Sequence, residues 1–377
     1  MADRRAFLHA IALGALLPRD VPAGSPRTSA RPAPAIPPRS ERTTGSRTSM
    51  YLAYTSFAVR MLQGRDILKS TAAALDAHAF LQLCRRFHVG GAQVDLSQLP
   101  VDNPEALAAV RSAFEGQRIA IELSVPFRYL ESPEAYAQAV AVAQSLGATR
   151  ARVALLYGRR YESFETSGAW DSFVAKWRGT LTRMRPEFNR HPLQVGTENH
   201  KDWLATELAA LLREIDSPNV GACVDFGNNL ALLEDPDETI AVLAPYAVTT
   251  HLKDMAVRQT ESGFELSEVP LGKGMLPLDR YLALLRHARP AAPLCLEMIT
   301  RDPLPVPYKA DRYWVAFDAL HRAERVRRFE THVLDKAPDR PLPHTTGLTP
   351  DAQIAAEDEH VAASVEYARR VLKLSAE

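Results

Sequence analysis

The sequence predicts an α/β protein folded as a (β/α)8 TIM barrel with a C-terminal helical extension. Short β-branched or apolar runs alternate with amphipathic stretches between residues 51 and 299, a rhythm typical of repeated βα units. That region spans about 250 residues, the usual length of such a barrel. A doubly wound open sheet is the main alternative, but it normally carries a glycine-rich phosphate loop after its first strand. The segment TSFAVRMLQGRD contains no such loop.

Eight strands are expected along the chain, separated by stretches in which apolar residues recur at intervals of three and four. PEALAAVRSAF and LATELAALLREI are two of these helical stretches, and several others also show Pro in the first turn. The predicted strands are 51–56, 88–96, 118–125, 151–157, 193–199, 220–226, 247–253 and 293–299.

The chain changes character beyond the eighth strand. A Pro-rich link follows residue 300, and helical stretches are expected near 311–330 and 350–374. We interpret the first of these as the last barrel helix and assign the barrel to residues 50–330. Residues 331–377 are then a C-terminal extension that packs on the barrel.

Residues 1–49 differ in composition from the rest of the chain and are excluded from the barrel. The pair Arg4 and Arg5 precedes an apolar stretch from Ala10 to Leu17, which is the layout of a twin-arginine export signal. That stretch is too short to span a bilayer, so no stable membrane anchor is expected. Pro, Ser, Thr, Arg and Gly dominate the segment that follows and predict a disordered linker. We expect a periplasmic or otherwise exported protein; a disordered basic tail is the alternative.

Composition argues against some classes of protein. The 377 residues include 45 Lys and Arg against 45 Asp and Glu. A general nucleic-acid binder or a membrane-surface protein needs a cationic excess, so neither is expected. The three cysteines, Cys84, Cys223 and Cys295, lie in apolar runs and are expected to be buried thiols.

Four ionisable residues stand at the ends of the fifth to the eighth predicted strands: Glu198, Asp225, His251 and Glu297. The βα loops of a barrel meet at one face, so these side chains are expected to converge. Three carboxylates in apolar surroundings repel one another and lose hydration unless a cation pairs with them. Their oxygens and the imidazole suit one divalent ion, Mn2+, Mg2+, Co2+ or Zn2+. Taken alone, each residue could have a structural role instead: a strand-end glutamate often pairs with a neighbouring lysine, and a lone histidine is often a hydrogen-bonded residue of the core.

The fragments TENH, CVDFGN, THLKD, VPLGKGMLPLDRYLALL and CLEMI resemble the xylose isomerase-like TIM barrel family, the sugar phosphate isomerase/epimerase superfamily. The likeness covers roughly residues 50–300. The family includes ketose 3-epimerases, inosose dehydratases and, more distantly, nucleases of the endonuclease IV type. The resemblance implies one divalent metal ion, Mn2+ foremost, on Glu198, Asp225, His251 and Glu297. It also implies that Glu198 and Glu297 are catalytic and exchange protons with the substrate.

Five further residues are expected to contact a substrate. His200 and Lys253 each stand two residues beyond a predicted metal ligand, and Asn228 occupies a position where many relatives have a histidine. Arg152 and Glu122 alternate with apolar residues in the fourth and third strands and are expected to face the barrel interior. Other roles stay open: a loop position for His200, an ion pair with a neighbouring acid for Lys253, and mutual pairing for the two interior residues.

Residue chemistry and the resemblance together predict an enzyme that acts on a small-molecule sugar. A dication bound to a hydroxyketone acidifies its α C–H and stabilises the enediolate, and two carboxylates then move the proton. Because an exported enzyme meets few phosphorylated sugars, we expect an isomerase or epimerase of a non-phosphorylated sugar or keto-sugar. The alternative is a 3-keto-glycoside lyase or hydratase on the same metal site, since an enediolate also expels a β leaving group.

Two other classes are weighed against this prediction. A nuclease of the endonuclease IV type needs a zinc cluster with further histidine ligands. Asn228, Gln93 and Glu122 stand at three of the positions where such ligands are expected. No nucleic-acid partner is therefore expected. A non-catalytic sugar-binding barrel is disfavoured by the intact set of four ligand residues, and assembly into a homo-oligomer is left open.

Overall fold

A computed structural model describes residues 50–63 and 75–374. Eight of the described strands are parallel and close into a barrel, and three others form a separate small sheet. In chain order the strands are β1 (Met50–Ala53), β2 (Gly91–Asp95), β3 (Ala120–Ser124), β4 (Arg150–Val153), β5 (Gln194–Glu198), β6 (Val220–Asp225), β7 (Ala247–Leu252), β8 (Asp254–Thr260), β9 (Gly263–Val269), β10 (Leu294–Leu296) and β11 (Leu304–Val306).

The barrel order is β1-β10-β7-β6-β5-β4-β3-β2, and helices connect its strands. Each of the eight predicted strands overlaps one barrel strand, so the predicted fold class is confirmed. The helices are α1 (Ala58–Gln63), α2 (Ala77–Arg86), α3 (Pro104–Glu115), α4 (Pro133–Leu146), α5 (Arg160–Ser163), α6 (Ser167–Arg190), α7 (Ala205–Ile215), α8 (Pro236–Leu243), α9 (Leu278–Ala288), α10 (Asp311–Trp314), α11 (Arg322–Phe329) and α12 (Pro350–Arg370).

Several of these helices begin at residues whose side chains cap them. Asn103, Ser132 and Thr166 each accept a hydrogen bond from the backbone N–H three residues further on. Each bond satisfies one of the donors that the first turn leaves free. Gly147 ends α4 with a φ of 70°, a left-handed conformation that favours glycine. Local sequence thus sets the helix boundaries around the barrel.

Polar side chains fill part of the barrel interior. Thr249 Oγ1 on β7 donates a 2.8 Å hydrogen bond to Glu122 on β3, although these strands are not neighbours in the barrel. Gln93 on β2 and His251 on β7 also meet across the barrel, at 2.9 Å. Side chains that bond between distant strands point inward, and alternation turns the intervening apolar residues toward the helices. A hydrogen-bonded layer therefore lies inside the barrel, beneath the strand ends.

An antiparallel hairpin follows the seventh barrel strand directly. β8 pairs with β9, and β11 adds a third strand to this sheet. These strands were not predicted from the sequence, because they interrupt the βα rhythm that defined the other elements. The hairpin brings Glu268, near the end of β9, to within 3.6 Å of Lys253 Nζ at the barrel mouth.

The first residue of β8 fixes the loop that leaves the hairpin. Asp254 accepts hydrogen bonds of 2.9, 2.9 and 3.1 Å from the backbone N–H groups of Gly272, Gly274 and Leu276. A Cβ on Gly274 would lie 2.1 Å from Asp254 Oδ1, so only glycine allows this approach. The PLGKGML segment turns tightly against the hairpin for this reason.

The C-terminal helix α12 packs beside the first βα unit. Glu357 accepts hydrogen bonds from Val59 N at 2.7 Å and from Arg60 Nη1 at 2.6 Å. Ser364 Oγ accepts a 3.2 Å bond from Leu271 N on the loop after the hairpin. In contrast, Phe329 at the end of α11 packs on Phe264 of β9, with ring centroids 5.3 Å apart. The end of α11 therefore packs on the small sheet, and α12 packs on the barrel wall.

The twin-arginine-type signal and linker predicted for residues 1–49 lie outside the described residues and stay predictions. Within the described part of the chain, every helix is too short or too polar to cross a bilayer. Cys84, Cys223 and Cys295 are buried and free, as the sequence predicted.

Candidate metal centre

Four side chains meet at the carboxyl ends of the barrel strands. Glu198 ends β5, Asp225 ends β6, His251 lies in β7 and Glu297 follows β10. One ligand atom of each lies within 4.8 Å of those of the other three, and all four residues are buried. His251 Nδ1 lies 3.1 Å from Glu198 Oε1, 3.3 Å from Glu297 Oε2 and 3.7 Å from Asp225 Oδ2. We call these residues the four-residue cluster.

Strand register explains why they converge. Asp225 is in register with His251, and His251 with Cys295, so three neighbouring strands end at one level. A register shift between Ala222 and Cys223 places one additional residue on β7. Without it Asp225 would be opposite Thr250, whose side chain points to the other face because strand side chains alternate. The bulge thus turns the imidazole and the aspartate toward the same interior point.

Glu198 is held by a cation and an amide. Arg152 Nε lies 2.5 Å from Glu198 Oε2, and a second guanidinium nitrogen contacts the same oxygen. Asn228 Nδ2 donates to Glu198 Oε1 at 3.1 Å. Burial alone would raise the pKa of Glu198, but Arg152 and His251 lower it below its ordinary value. The carboxylate is therefore ionised and fixed in orientation.

Glu297 is held by a different cation. Lys253 Nζ lies 2.6 Å from Glu297 Oε2 and 2.8 Å from Asp225 Oδ2, and Thr55 Oγ1 donates to Glu297 Oε1 at 2.7 Å. Burial alone would raise the pKa of Glu297, but His251 and Lys253 lower it well below its ordinary value. Burial also opposes the charge on Lys253, yet Asp225 and Glu297 raise its pKa well above the usual one. The ammonium therefore stays charged between the two carboxylates.

A chain of hydrogen bonds orients His251 from beneath. Its Nε2 lies 2.9 Å from Gln93 Oε1, and Gln93 Nε2 donates to Glu122 at 2.7 Å. Burial raises the pKa of Glu122, while the bonds from Gln93 and Thr249 favour its ionised form. Glu122 is the acceptor in both of these bonds, so it draws the NH2 of Gln93 and turns the amide oxygen toward His251. That oxygen keeps a proton on Nε2, so Nδ1 is the nitrogen left to bind a cation.

The donor set fits a divalent cation. Asp225 Oδ1 accepts hydrogen bonds from the backbone N–H groups of Gly227 and Asn228 at 2.9 and 2.8 Å. Asp225 Oδ2 is buried and forms no hydrogen bond among the described residues; Lys253 is near it without meeting the angles of one. Apart from its ion pair with Lys253, this oxygen therefore has no donor among the described residues, and it lies 3.7 Å from His251 Nδ1. Three carboxylates and one imidazole are ligands that Mn2+, Mg2+, Co2+ and Zn2+ accept.

The residues expected to contact a substrate lie at different levels of the site. Arg152, Asn228 and Lys253 contact the four-residue cluster directly. Glu122 lies deeper, where it bonds Gln93 and Thr249 and not Arg152.

His200 takes another position, beside the loop that follows β4. Its Nδ1 lies 2.9 Å from Leu156 O, so the nitrogen donates a hydrogen bond to this carbonyl. Burial lowers the pKa of His200 to about 4. The ring is therefore neutral near pH 7, and Nε2 is available as an acceptor.

Some residues of the site were not predicted from the sequence. Gln93 is a polar residue within the apolar run GAQVD, and Thr55 lies near the end of the first predicted strand, 51–56. Both positions were signals for an interior or strand-end role. Lys201 follows the TENH fragment and donates to Asn228 Oδ1. Glu268 comes from the hairpin, so its place beside Lys253 depends on strands that the βα pattern did not predict.

The first prediction concerns metal content. We expect the protein to bind one Mn2+ per chain and His251→Ala to lose most of it, because that change leaves only carboxylates that Lys253 and Arg152 already neutralise. Elemental analysis after dialysis against Mn2+ measures the content. Glu357→Gln, which alters a buried carboxyl on α12 outside the cluster, is the control and should bind the wild-type amount. Equal stoichiometry in His251→Ala and the wild type would contradict the ligand assignment.

The second prediction concerns the layer beneath the metal ligands. Gln93→Leu removes the acceptor that keeps the proton on His251 Nε2, so we expect Mn2+ affinity to fall by about 10- to 100-fold. Competition with a chelator measures the affinity. Gln98→Leu, at a half-buried surface position, is the control. Unchanged affinity in Gln93→Leu would show that this chain of hydrogen bonds does not orient the imidazole.

Comparison with known proteins gives one curated relative. 3-Oxo-isoapionate decarboxylase of Pectobacterium atrosepticum is 38% identical over 107 residues, which are 28% of this chain and 38% of the relative. The chain thus matches well under two thirds of the length of that protein.

Solved structures resemble this one at low sequence identity. D-psicose 3-epimerase, determined in the presence of D-fructose, is 13% identical with a TM-score of 0.56, covering 86% of this chain and 99% of its own. The IOLI protein with a bound zinc atom is 12% identical with a TM-score of 0.50, covering 78% and 100%. These likenesses concern the fold alone.

The family comparison covers the part of the chain that builds the site. The model of the xylose isomerase-like TIM barrel family matches residues 118–316, more than half of the chain. That range runs from β3 past β10 and contains the whole four-residue cluster. The chain therefore belongs to the xylose isomerase-like TIM barrel family.

Proposed function

We propose that this protein is a divalent-metal-dependent isomerase or epimerase of a non-phosphorylated sugar or keto-sugar. The observation that carries the proposal is the placement of two ionised glutamates on different sides of one cluster. Glu198 ends β5 and Glu297 follows β10, and β6 and β7 lie between those strands in the barrel. Arg152 holds the first carboxylate and Lys253 the second. Two separately held carboxylates suit removal and return of one proton.

The chain supplies the groups that move the proton. The ion held by Glu198, Asp225, His251 and Glu297 would supply Lewis acidity, which makes the C–H beside a substrate carbonyl more acidic. Glu198 then accepts that proton on a carboxylate oxygen that Asn228 orients, and the substrate becomes an enediolate. Glu297, once it has taken up a proton from water, delivers that proton from the other side, and Glu198 releases its own proton to water. Return to the same carbon gives epimerisation, and return to the adjacent carbon gives isomerisation.

The side chains around the four-residue cluster position the two glutamates and the substrate. Arg152 and Lys253 keep the two glutamates ionised in a buried setting, so each carboxylate starts the cycle able to accept a proton. The neutral ring of His200 has Nε2 free to accept from a substrate hydroxyl, since Nδ1 is bound to Leu156 O. Asn228, between Lys201 and Glu198, would lie against the substrate at the same level.

Loss of CO2 from a 3-oxo sugar acid is a second candidate. The observation that favours it is the 38% identity, over 107 residues, to a 3-oxo-isoapionate decarboxylase. A 3-oxo acid with a hydroxyl on C2 that breaks its bond to the carboxyl carbon leaves CO2 and an enediolate, and a glutamate that has taken up a proton from water then delivers it to C2. Both candidates therefore require the same ion and the same enediolate, and they differ in the bond that breaks first.

Hydrogen exchange tests the leading proposal. Mn2+-loaded protein is incubated in D2O with D-fructose, D-psicose, D-tagatose and L-sorbose, and NMR follows the carbon next to the carbonyl. We expect deuterium at that carbon in at least one ketose. Glu297→Gln should lower the rate by about 100-fold or more, the usual contribution of a general acid or base, and Glu357→Gln should keep the wild-type rate.

The same incubation separates the two candidates. Release of CO2 from a 3-oxo sugar acid, without exchange into any ketose, would replace the isomerase with a decarboxylase. Absence of both reactions would show that the enediolate chemistry is wrong for this protein.

We also propose that the protein is exported, which is the reason for a non-phosphorylated substrate. The support is Arg4 and Arg5 ahead of the apolar stretch from Ala10 to Leu17. Expressed with a C-terminal tag in a bacterium that has the twin-arginine pathway, the protein should appear in the periplasmic fraction. The double change Arg4→Lys with Arg5→Lys should retain it in the cytoplasm, whereas Arg19→Lys should not. The same distribution for all three would contradict export by this route.

A further inference from the structure

Lys201 is a buried cation beside the four-residue cluster. The residue is 5% exposed, and its Nζ donates to Asn228 Oδ1. Asn228 in turn donates to Glu198 Oε1 at 3.1 Å. The ammonium thus lies two hydrogen bonds from a glutamate that is proposed to move the substrate proton.

In the part of the chain that the structure describes, Lys201 differs from the other buried cations because it has no carboxylate partner. Arg152 contacts Glu198, Arg160 lies 2.7 Å from Glu207, and Lys253 contacts Asp225 and Glu297. Within the described residues, Lys201 forms a hydrogen bond to a neutral amide and makes no ion pair. A buried ammonium loses hydration, and proteins normally offset that loss with an opposite charge. The described residues therefore leave this ammonium without a countercharge.

Other cations surround this ammonium. Burial lowers the pKa of Lys201 most, and the positive charges of Lys253 and Arg301 lower it further. Glu268 and Asp225 act in the opposite direction, and the resulting pKa is about 8. Glu268 is already engaged, since it lies 2.9 Å from Arg301 and 3.6 Å from Lys253. The local carboxylates are thus shared among other cations, and a divalent ion in the cluster would add further positive charge. An anionic group on the ligand would correct this imbalance.

The backbone holds Lys201 in this position. Its φ of 66° is left-handed, which is uncommon for a residue other than glycine. Arg160 N donates to Lys201 O at 2.9 Å, and Asp202 accepts from the backbone N–H groups of His200 and Trp203 at 3.0 and 2.8 Å. Such conformations persist where surrounding bonds fix them, often at ligand sites. The loop after β5 therefore presents the ammonium in a defined place.

We propose that Lys201 binds a carboxylate of the substrate, so that the substrate is a keto-sugar acid. This inference rests on the proposed function for the position of the reacting carbons. A carboxylate carries one charge and matches one ammonium, whereas a phosphate dianion would lie near Glu268 and Asp225 with a single unpaired cation to hold it. The ammonium thus selects for the acid form of a sugar without touching the carbon that reacts.

Matched sugars test this proposal on the Mn2+-loaded full-length chain. Three pairs differ only in a terminal CH2OH or carboxylate: D-fructose and D-fructuronate, D-tagatose and D-tagaturonate, L-sorbose and 5-keto-D-gluconate. Isothermal titration gives each dissociation constant. We expect at least one acid to bind about tenfold or more tightly than its neutral partner, the scale of a charge-assisted hydrogen bond.

Variants assign that preference to Lys201. Lys201→Gln keeps a donor for Asn228 and should remove the preference for the acid while leaving the affinity for the neutral sugar and the Mn2+ content unchanged. Lys201→Met serves as a second variant if the glutamine fails to fold. Lys176→Met removes the same charge from an exposed lysine paired with Glu131 and should keep the preference.

Each outcome bears on the proposal. Equal binding of acids and neutral sugars, no binding of any acid, or a preference that survives in Lys201→Gln would overturn it. Tighter binding of D-fructose 6-phosphate than of every acid would also overturn it, in favour of a phosphate site. If deuterium exchanges into neutral ketoses but acids bind no more tightly, the carboxylate site is rejected and the proposed isomerase is retained. If acids bind more tightly but neither exchange nor CO2 release occurs, the carboxylate site is supported and the enediolate chemistry is rejected.

Discussion

The structure of this site depends on neutralising carboxylates that have been removed from water. Glu198, Asp225 and Glu297 carry three negative charges at the barrel mouth, and all are buried. Arg152 and Lys253 supply fixed positive charges from neighbouring strands, and their contacts keep Glu198 and Glu297 ionised despite burial. Because the charges compensate one another inside the chain, the carboxylates can be held close enough to share one cation.

That arrangement requires the barrel strands to end at a common level, with the ligand side chains pointing into the barrel. The register shift on β6 and β7 aligns Asp225 with His251, and β10 carries Glu297 directly after it. The layer below completes the alignment, since Gln93 joins His251 to Glu122 across the barrel. A barrel with a purely apolar interior would leave the imidazole free to choose either tautomer. The polar interior instead fixes the direction of every donor beneath the site.

Much of this could be predicted from the sequence, and the limits have physical causes. The βα rhythm predicted the barrel and its eight strands because alternation between strand and helix periods is local. The four cluster residues could be selected because charged groups at the ends of apolar strands are rare without a function. Contacts across the barrel, such as Gln93 with His251, join strands far apart in the chain, so the local sequence can signal an interior position for Gln93 but not its partner. The β8–β9 hairpin was missed because it adds no βα unit, so the position of Glu268 was missed with it.

Two buried lysines show how the same side chain can serve structure or recognition. Lys253 lies between Asp225 and Glu297, so its charge belongs to the cluster and maintains the spacing of the two carboxylates. Lys201 is also buried, yet among the described residues it bonds a neutral amide and forms no ion pair with a carboxylate. Evaluated by burial alone, the two residues are equivalent. Evaluated by charge pairing, Lys253 has its countercharges among the described residues and Lys201 does not. This difference is the basis for assigning recognition of an anionic substrate to Lys201.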